Sequence, residues 1–200
     1  FLEQKTWTFA VWRERYLEVV LRKTEGHYES TLRELETAVI DGYAQLAEGK
    51  VELGLIVIPN IIVAHPALPA ANLKELIQLA RAKPGQIGFA SNGTGTSSHM
   101  AGALLNLEAG IRLAHIPYKG AGQAIIDVLG GHVPLLIGAV ATSLPHVASG
   151  KLRALVVTSL QRSAAAPGVP TVAESGLPGF EVVQWFGIFA PAGTPREIVA

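Results

Sequence analysis

The sequence contains no cysteine among its 200 residues. A thiol nucleophile, a disulfide framework and a cysteine-based zinc site are therefore excluded. Charged residues are also scarce, at 16% of the chain, whereas hydrophobic residues make up 49%. This composition is typical of a globular protein with a large buried core, and the lack of cysteine is compatible with an oxidising compartment.

Neither sign of charge is in excess, because 16 basic residues balance 16 acidic ones. Without a basic surface, nucleic acid is a poor candidate partner.

Long apolar runs are missing as well. The longest, at 53–64, is interrupted by Pro59 and Asn60 and is shorter than the roughly 20 residues that cross a bilayer.

The first quarter of the chain differs from the rest. Half of the charged residues stand before residue 51, where the pattern predicts two amphipathic helices, near 8–23 and 29–47, separated at Gly26. The chain begins with Phe1 and shows no signal peptide. It ends just after a helix-start signal at 194–197, so we expect a segment to be missing at each end.

From Val51 onward, short apolar runs alternate with helix-sized segments. We predict that Asn72 caps the first of these helices and that glycines end the later ones. Apolar strands with helices between them favour an α/β fold whose parallel sheet is covered on both faces. Strands are predicted at 51–64, 86–91, 112–116, 133–137, 152–158 and 180–190, and helices at 72–82, 97–108, 121–129 and 143–149.

The loop at 90–99 is the strongest candidate for a binding site, since ligands of such sheets bind beyond the carboxyl ends of the strands. Two glycines allow a sharp turn, and Thr96 or Ser97 is expected to cap the next helix. The free N–H groups of that first helical turn suit an anion. The loop lacks both the dinucleotide and the phosphate-loop pattern. On its own, the loop is as compatible with a simple capped helix as with an anion site.

Two further loops follow strands. In the loop at 117–122, we interpret Lys119 as a solvated side chain and Tyr118 as a possible ligand contact. In the loop at 138–143, Thr142 and Ser143 are expected to cap a helix. The six histidines have no metal-ligand spacing, and His99 is expected to pack or hydrogen-bond locally. Asp127 and Glu174 have no evident partner, so no carboxylate pair is predicted, and neither a metal nor a cofactor is expected.

Taken together, the motifs from residue 51 to 200 resemble the Bug family, the solute-binding receptors of tripartite tricarboxylate transporters. The matching segments occur in family order and with family-like spacing. They are IIVAHP at 61–66, LIQLARAKPG at 76–85, FASNGTGTSSH at 89–99, HIPYKG at 115–120, LGGHV at 129–133, LPHVASGKLRA at 144–154, VPTVAESGLPG at 169–179 and WFGIFAPAGTP at 185–195.

This resemblance implies a periplasmic binding protein fold of type II, with two α/β lobes that have mostly parallel sheets covered by helices and that close on the ligand. It implies a non-catalytic, periplasmic receptor that takes a small carboxylate and works with the membrane components of the transporter. The contacts that it implies on the second lobe are Thr94, Gly95, Thr96, Ser97 and Tyr118.

The chain departs from the family pattern in two places. Gly138 and Ala139 stand where the family usually has an Asp-Asn pair, and residues 1–50 lack the family's first strand and glycine-rich loop. The expected organisation is therefore an atypical helical segment with a remnant of the first lobe at 1–64, a second lobe at 65–180, and a crossing strand at 181–200. The first lobe is expected to be incomplete.

Three functions remain open at this point. The first is an extracytoplasmic receptor for a tricarboxylate, dicarboxylate or similar organic acid. The second is a truncated receptor that has lost binding. The third is a phosphate-handling α/β enzyme that uses the loop at 92–98, although the sequence offers no catalytic group for it.

Overall fold

The computed structural model describes residues 51–191, with side chains from 58 to 184. The helices predicted near 8–23 and 29–47, and the helix start predicted at 194–197, lie outside this range. The chain divides into two compact units, and Ile56–Phe186 forms one of them. All side-chain contacts given below lie within Ile56–Phe186.

The described part alternates strands and helices, as the sequence predicted. The strands are β1 Val51–Ala64, β2 Gly88–Ser91, β3 Ala114–Pro117, β4 Leu135–Ala139, β5 Arg153–Val157 and β6 Val183–Pro191. The helices are α1 Leu73–Ala82, α2 Ser97–Ala109, α3 Ala121–Leu129 and α4 Val140–Ala148. None of these helices is long and apolar enough to span a bilayer.

The strands form a mixed sheet in the order β3-β2-β4-β1-β5, and β6 also pairs with β1. β2 runs parallel to β3 and to β4. β1 runs antiparallel to β4 and to β5, which corrects the expectation of a parallel sheet. The error has a physical reason: a strand that is buried on both faces is apolar throughout in either direction, so its sequence does not report its orientation.

Both faces of the sheet are covered, as predicted. Ile62 and Leu135 point into a core that α1 and α2 complete with Leu76 and Leu105. The neighbouring residues of the same strands point to the opposite face, where α3 and α4 complete a second core. Because side chains alternate along a strand, each of these strands supplies apolar residues to two layers at once.

Local signals determine where the first two helices begin. The side chain of Asn72 caps α1 by accepting a hydrogen bond from the N–H of Glu75 at 2.9 Å, as predicted. Thr96 is the N-cap of α2, and α2 ends at Gly110, which adopts the left-handed conformation with φ 61°.

The start of α4 was predicted wrongly. The sequence suggested that Thr142 or Ser143 caps a helix, but α4 begins at Val140 after Ala139, which makes no side-chain cap hydrogen bond. The Thr142 hydroxyl instead donates to the Ala139 carbonyl at 3.0 Å, and Ser143 is fully buried within the helix. Serine and threonine are common both at caps and in the first turn, so their presence does not fix the boundary.

Candidate functional site

The topology gathers polar residues at one edge of the sheet. The carboxyl ends of the parallel strands β2 and β4 lie there, and so does Asn60 of the antiparallel β1, which pairs with Ala139. Thr158 follows β5 at the same edge and bonds Asn60. We call this region the polar edge and define it as Asn60, residues 91–98, residues 138–143 and Thr158. None of these residues carries an ionisable acid or base.

Two glycines shape the turn that leads into α2. Gly93 and Gly95 have φ values of 141° and 80°, which side chains other than glycine's rarely allow. A Cβ at Gly93 would also stand 3.1 Å from the carbonyl oxygen of Tyr118. The Thr96 hydroxyl closes the turn by donating to the Gly93 carbonyl at 2.7 Å. The turn is therefore built by its own backbone and hydroxyls.

The four backbone N–H groups predicted to contact a ligand fall into two pairs. The N–H of Gly95 donates to His99 Nδ1 at 3.1 Å, and that of Thr96 to the Gly93 carbonyl at 3.4 Å. Those of Thr94 and Ser97 donate to no acceptor within the described residues. An anion in front of α2 would therefore meet two unused N–H groups at the positive end of the helix dipole.

Two histidines stack behind this turn. The rings of His99 and His115 lie 3.8 Å apart between centroids, with 15° between their planes. Burial lowers the pKa of His99. Burial, together with the neighbouring His99, lowers the pKa of His115 to about 4. Both rings are therefore neutral near pH 7, and the local packing role predicted for His99 is confirmed.

The structure also forms a serine–histidine pair that the sequence did not predict. Ser91 Oγ lies 2.6 Å from His115 Nε2. However, Ser91 is fully buried, and its hydroxyl also contacts the N–H and the carbonyl of Gly93, each at 3.2 Å. A nucleophile needs access to its substrate and a base that a third group orients. This serine instead holds the turn in place.

Tyr118, which follows β3, supports the turn. Its N–H donates to the Ser91 carbonyl at 3.2 Å, and its hydroxyl donates to Asp127 Oδ2 at 2.6 Å. Burial and this bond to Asp127 raise the pKa of Tyr118 to about 12. The expectation that Asp127 lacks a partner is therefore wrong.

The expectation that Glu174 lacks a partner is wrong as well. Its carboxylate accepts hydrogen bonds from the N–H of Thr171 at 2.8 Å and from Arg162 Nε at 2.9 Å. These bonds lower the pKa of Glu174. They link Arg162 and Thr171 within the connector after β5.

Asn60 is the residue of the polar edge that the sequence analysis missed. It is fully buried, and its Oδ1 lies 3.5 Å from the hydroxyl of Ser97. Its Nδ2 has no hydrogen-bond partner within the described residues, and the same holds for Asn92 Oδ1 and Ser143 Oγ. A polar residue inside the apolar run of β1 was the available signal.

The polar edge can thus offer N–H and O–H donors to an anion, but it has few groups that suit other chemistry. Among residues 51–191, no three acidic or histidine side chains are grouped so that they could hold a metal ion. N–H and hydroxyl donors without a counter-charge suit a carboxylate.

Comparison with known proteins points in the same direction. Residues 48–200 match the family model described as tripartite tricarboxylate transporter family receptor. A Pseudomonas protein from a tcbD–tcbE intergenic region is 43% identical over 143 residues, which is 71% of this chain and 43% of that protein. BugT of Bordetella pertussis is 41% identical over 142 residues, covering 71% of this chain and 44% of BugT. The chain spans under half the length of these relatives.

Solved structures give the same result. The R. palustris protein Rpa4515 with adipate has a TM-score of 0.67 and 33% identity, over 75% of this chain and 49% of that one. The periplasmic binding protein BugD has a TM-score of 0.64 and 39% identity, over 72% and 48%. MatC from Rhodopseudomonas palustris with bound malate has a TM-score of 0.63 and 32% identity, over 72% and 49%. Each carries the periplasmic binding protein fold that was expected here.

Proposed function

The chain belongs to the tripartite tricarboxylate transporter receptor family, and we propose that it binds a small organic carboxylate at the polar edge and delivers it to the membrane components of a tripartite transporter. The receptors of this family bind solutes and are not enzymes. The observation that carries the proposal is the turn before α2, whose Thr94 and Ser97 N–H groups have no acceptor within the described residues.

The donors of the turn suit a carboxylate for two reasons. The N–H groups at the start of a helix point outward along the dipole, so they stabilise a negative charge without a basic side chain. The hydroxyl of Thr94 stands beside them and adds a donor that can rotate toward either oxygen, whereas that of Ser97 donates to Asn60 Oδ1 at 3.5 Å. Gly95 and Thr96 contribute the shape of the turn, since their N–H groups already have acceptors.

The chemical class of the ligand follows from the same donors and from the relatives. A site that has no cation of its own favours an acid whose charge is spread over two oxygens. Rpa4515 was solved with adipate and MatC with malate, both small dicarboxylates. We therefore propose a dicarboxylate, tricarboxylate or similar organic acid. BugD is a periplasmic binding protein, which supports a periplasmic location.

Two rival functions make different predictions. A phosphate-handling enzyme needs a reactive group beside the turn, but Ser91 is buried and bonded to Gly93. A receptor that has lost its ligand would fold normally and bind no acid. The second rival is the one that a binding measurement must address.

Isothermal titration with adipate, malate, succinate and citrate tests the proposal, with inorganic phosphate as the comparison. We expect at least one organic acid to bind and phosphate to bind more weakly. Ser97→Asp places a negative charge in the first turn of α2, where the helix dipole tolerates it, so the fold should persist while affinity falls by about 100-fold or more.

The matched control is Lys74→Asp, which places an acid in the first turn of α1. That helix starts near Arg153, which donates to the Ala70 carbonyl at 3.0 Å and begins β5 at the other edge of the sheet. This variant should bind as the wild type does. A folded wild-type protein that binds none of the four acids would refute the proposed function.

A further inference from the structure

We infer that Asn60 contacts the bound acid directly, with its side-chain N–H donating to a carboxylate oxygen. This inference rests on the proposed function and adds to it a residue that lies 37 positions from Ser97. Asn60 would make the polar edge selective for an acceptor oxygen at that point. Three observations on the fold support this role.

The first observation is that the backbone of Asn60 is fixed. Its N–H donates to Thr158 Oγ1 at 3.1 Å, and its carbonyl accepts from the N–H of Thr158 at 2.9 Å. The Thr158 hydroxyl also bonds the Val182 carbonyl. A side chain on such a backbone presents its amide at a defined place, as a binding residue must.

The second observation is an unmet donor. Asn60 is fully buried, yet its Nδ2 has no partner within the described residues. Leaving such a donor unpaired is unfavourable, and asparagine is disfavoured within strands. An apolar residue at this place would avoid both costs. A partner that arrives with the ligand explains why the amide is present.

The third observation is the direction of the amide. Its Oδ1 lies 3.5 Å from the hydroxyl of Ser97, the first residue of α2. The carboxamide therefore sits beside the unused N–H of Ser97, at the start of the helix. The Ser97 hydroxyl donates its hydrogen to Oδ1, so Nδ2 and the Ser97 N–H are the donors that remain for a ligand at this place. An oxygen that accepts several hydrogen bonds at once satisfies this arrangement, and a carboxylate oxygen does so with charge assistance.

Asn92 Oδ1, another unpaired buried atom of the polar edge, does not share this setting. Asn92 Oδ1 lies 3.9 Å from the position that a Cβ on Gly138 would take, and Gly138 faces the opposite side of the sheet from Ala139. Asn92 Oδ1 is also an acceptor, which would repel a carboxylate oxygen. Asn60 is therefore the residue to test.

The test replaces Asn60 by aspartate, which keeps the shape of the side chain and removes its N–H donors. The probe is whichever of adipate, malate, succinate and citrate the wild type binds most tightly, titrated at pH 8 and at pH 5.5. We expect Asn60→Asp to weaken binding about 100-fold or more at pH 8, because a buried carboxylate offers no hydrogen and repels the ligand.

Acid should restore part of this loss. Burial and a neighbouring anion raise the pKa of the introduced carboxyl, and its protonated form supplies an O–H donor. The ratio of variant to wild-type dissociation constants should therefore fall about tenfold or more between pH 8 and pH 5.5. The two dissociation constants are compared at the same pH. Effects of pH that act equally on both proteins, through His99, His115 or the probe itself, therefore cancel in the ratio.

Asn106→Asp is the matched control. Asn106 bridges Leu113 through both its amide atoms, at 2.7 and 3.0 Å, at the far end of α2. This variant should lose stability and keep its affinity. Asn60→Thr is a second variant of similar size, in case the buried acid prevents folding. We expect it to weaken binding about tenfold or more without lowering the unfolding midpoint, since threonine suits a strand and replaces the two N–H donors with one shorter O–H donor.

Each outcome bears on the inference. Unchanged affinity in a folded Asn60→Asp or Asn60→Thr variant overturns it while the proposed function stands. A loss that is the same at both pH values, together with a lower unfolding midpoint, also overturns it and assigns Asn60 a structural role. No binding of any of the four acids by the wild type removes the proposed function and the inference with it.

Discussion

Replacing Gly102 by alanine should destabilise the protein, although alanine is the better helix former. Gly102 lies inside α2, and a Cβ there would come closer than 3.0 Å to Cζ and Cε2 of Phe89. Phe89 is 1% exposed, and its ring centroid is 5.1 Å from that of His115. The Phe89 ring is therefore packed inside the protein and cannot move out into solvent.

Two effects of opposite sign decide the result. Alanine stabilises a helix interior by about 1 kcal/mol relative to glycine. Forcing an additional methyl group into a packed core costs about 1–3 kcal/mol, and the overlap with Phe89 is severe. We therefore expect Gly102→Ala to lower the free energy of unfolding by about 1–2 kcal/mol overall.

Urea denaturation followed by circular dichroism measures this difference, and Gly122→Ala is the matched control. Gly122 is also helical, in α3, but a Cβ there would meet nothing within 4 Å. Its replacement should stabilise the protein by about 0.5–1 kcal/mol. The reasoning fails if Gly102→Ala is as stable as the wild type or more stable. Phe89→Leu in the Gly102→Ala background should recover part of the loss if the ring causes it.

Two other predictions concern the titration of His115 and the hydrogen bond between Tyr118 and Asp127. Stability should fall as the pH drops from 6.5 toward 4, because the unfolded chain protonates His115 at its ordinary pKa while the folded protein holds that pKa at about 4. The loss is on the order of 2 kcal/mol after allowance for solvent screening, and a urea midpoint equal at pH 7 and pH 5 would contradict it. Tyr118→Phe removes the bond to Asp127 and should cost about 1 kcal/mol of stability. If Tyr118 mainly supports the turn, acid affinity should change less than about tenfold, and a larger change in titration would show direct contact.

The order of the elements from β1 to β6 was predictable because each boundary has a local cause. Asn72 and Thr96 cap their helices with side-chain oxygens, and Gly110 ends α2 in a conformation that favours glycine. Such signals act over three or four residues and are visible in the sequence. The direction of β1 is different, because it depends on pairing with β4 and β5, residues 71 or more positions away. No local pattern encodes it.

The site divides in the same way. That an anion binds at 93–97 stays a prediction, but the expected sharp turn into a capped helix, with N–H groups at its start, is present in the structure. Which of those groups remain unused was not predictable, since His99 reaches back to Gly95 and Gly93 accepts from Thr96. These bonds depend on side-chain rotamers and on the stacking of His99 with His115.

Asn60 shows what a sequence can reveal when a local rule is broken. An amide within an apolar strand is costly wherever it lies, so its presence indicates a requirement other than stability. The sequence marks the residue but not its surroundings, because Thr158 lies 98 positions away and Ser97 lies 37. Only the fold shows that the amide faces the start of α2 rather than another buried polar group. The strand position made Asn60 notable, and the helix beside it makes a ligand contact the most economical explanation.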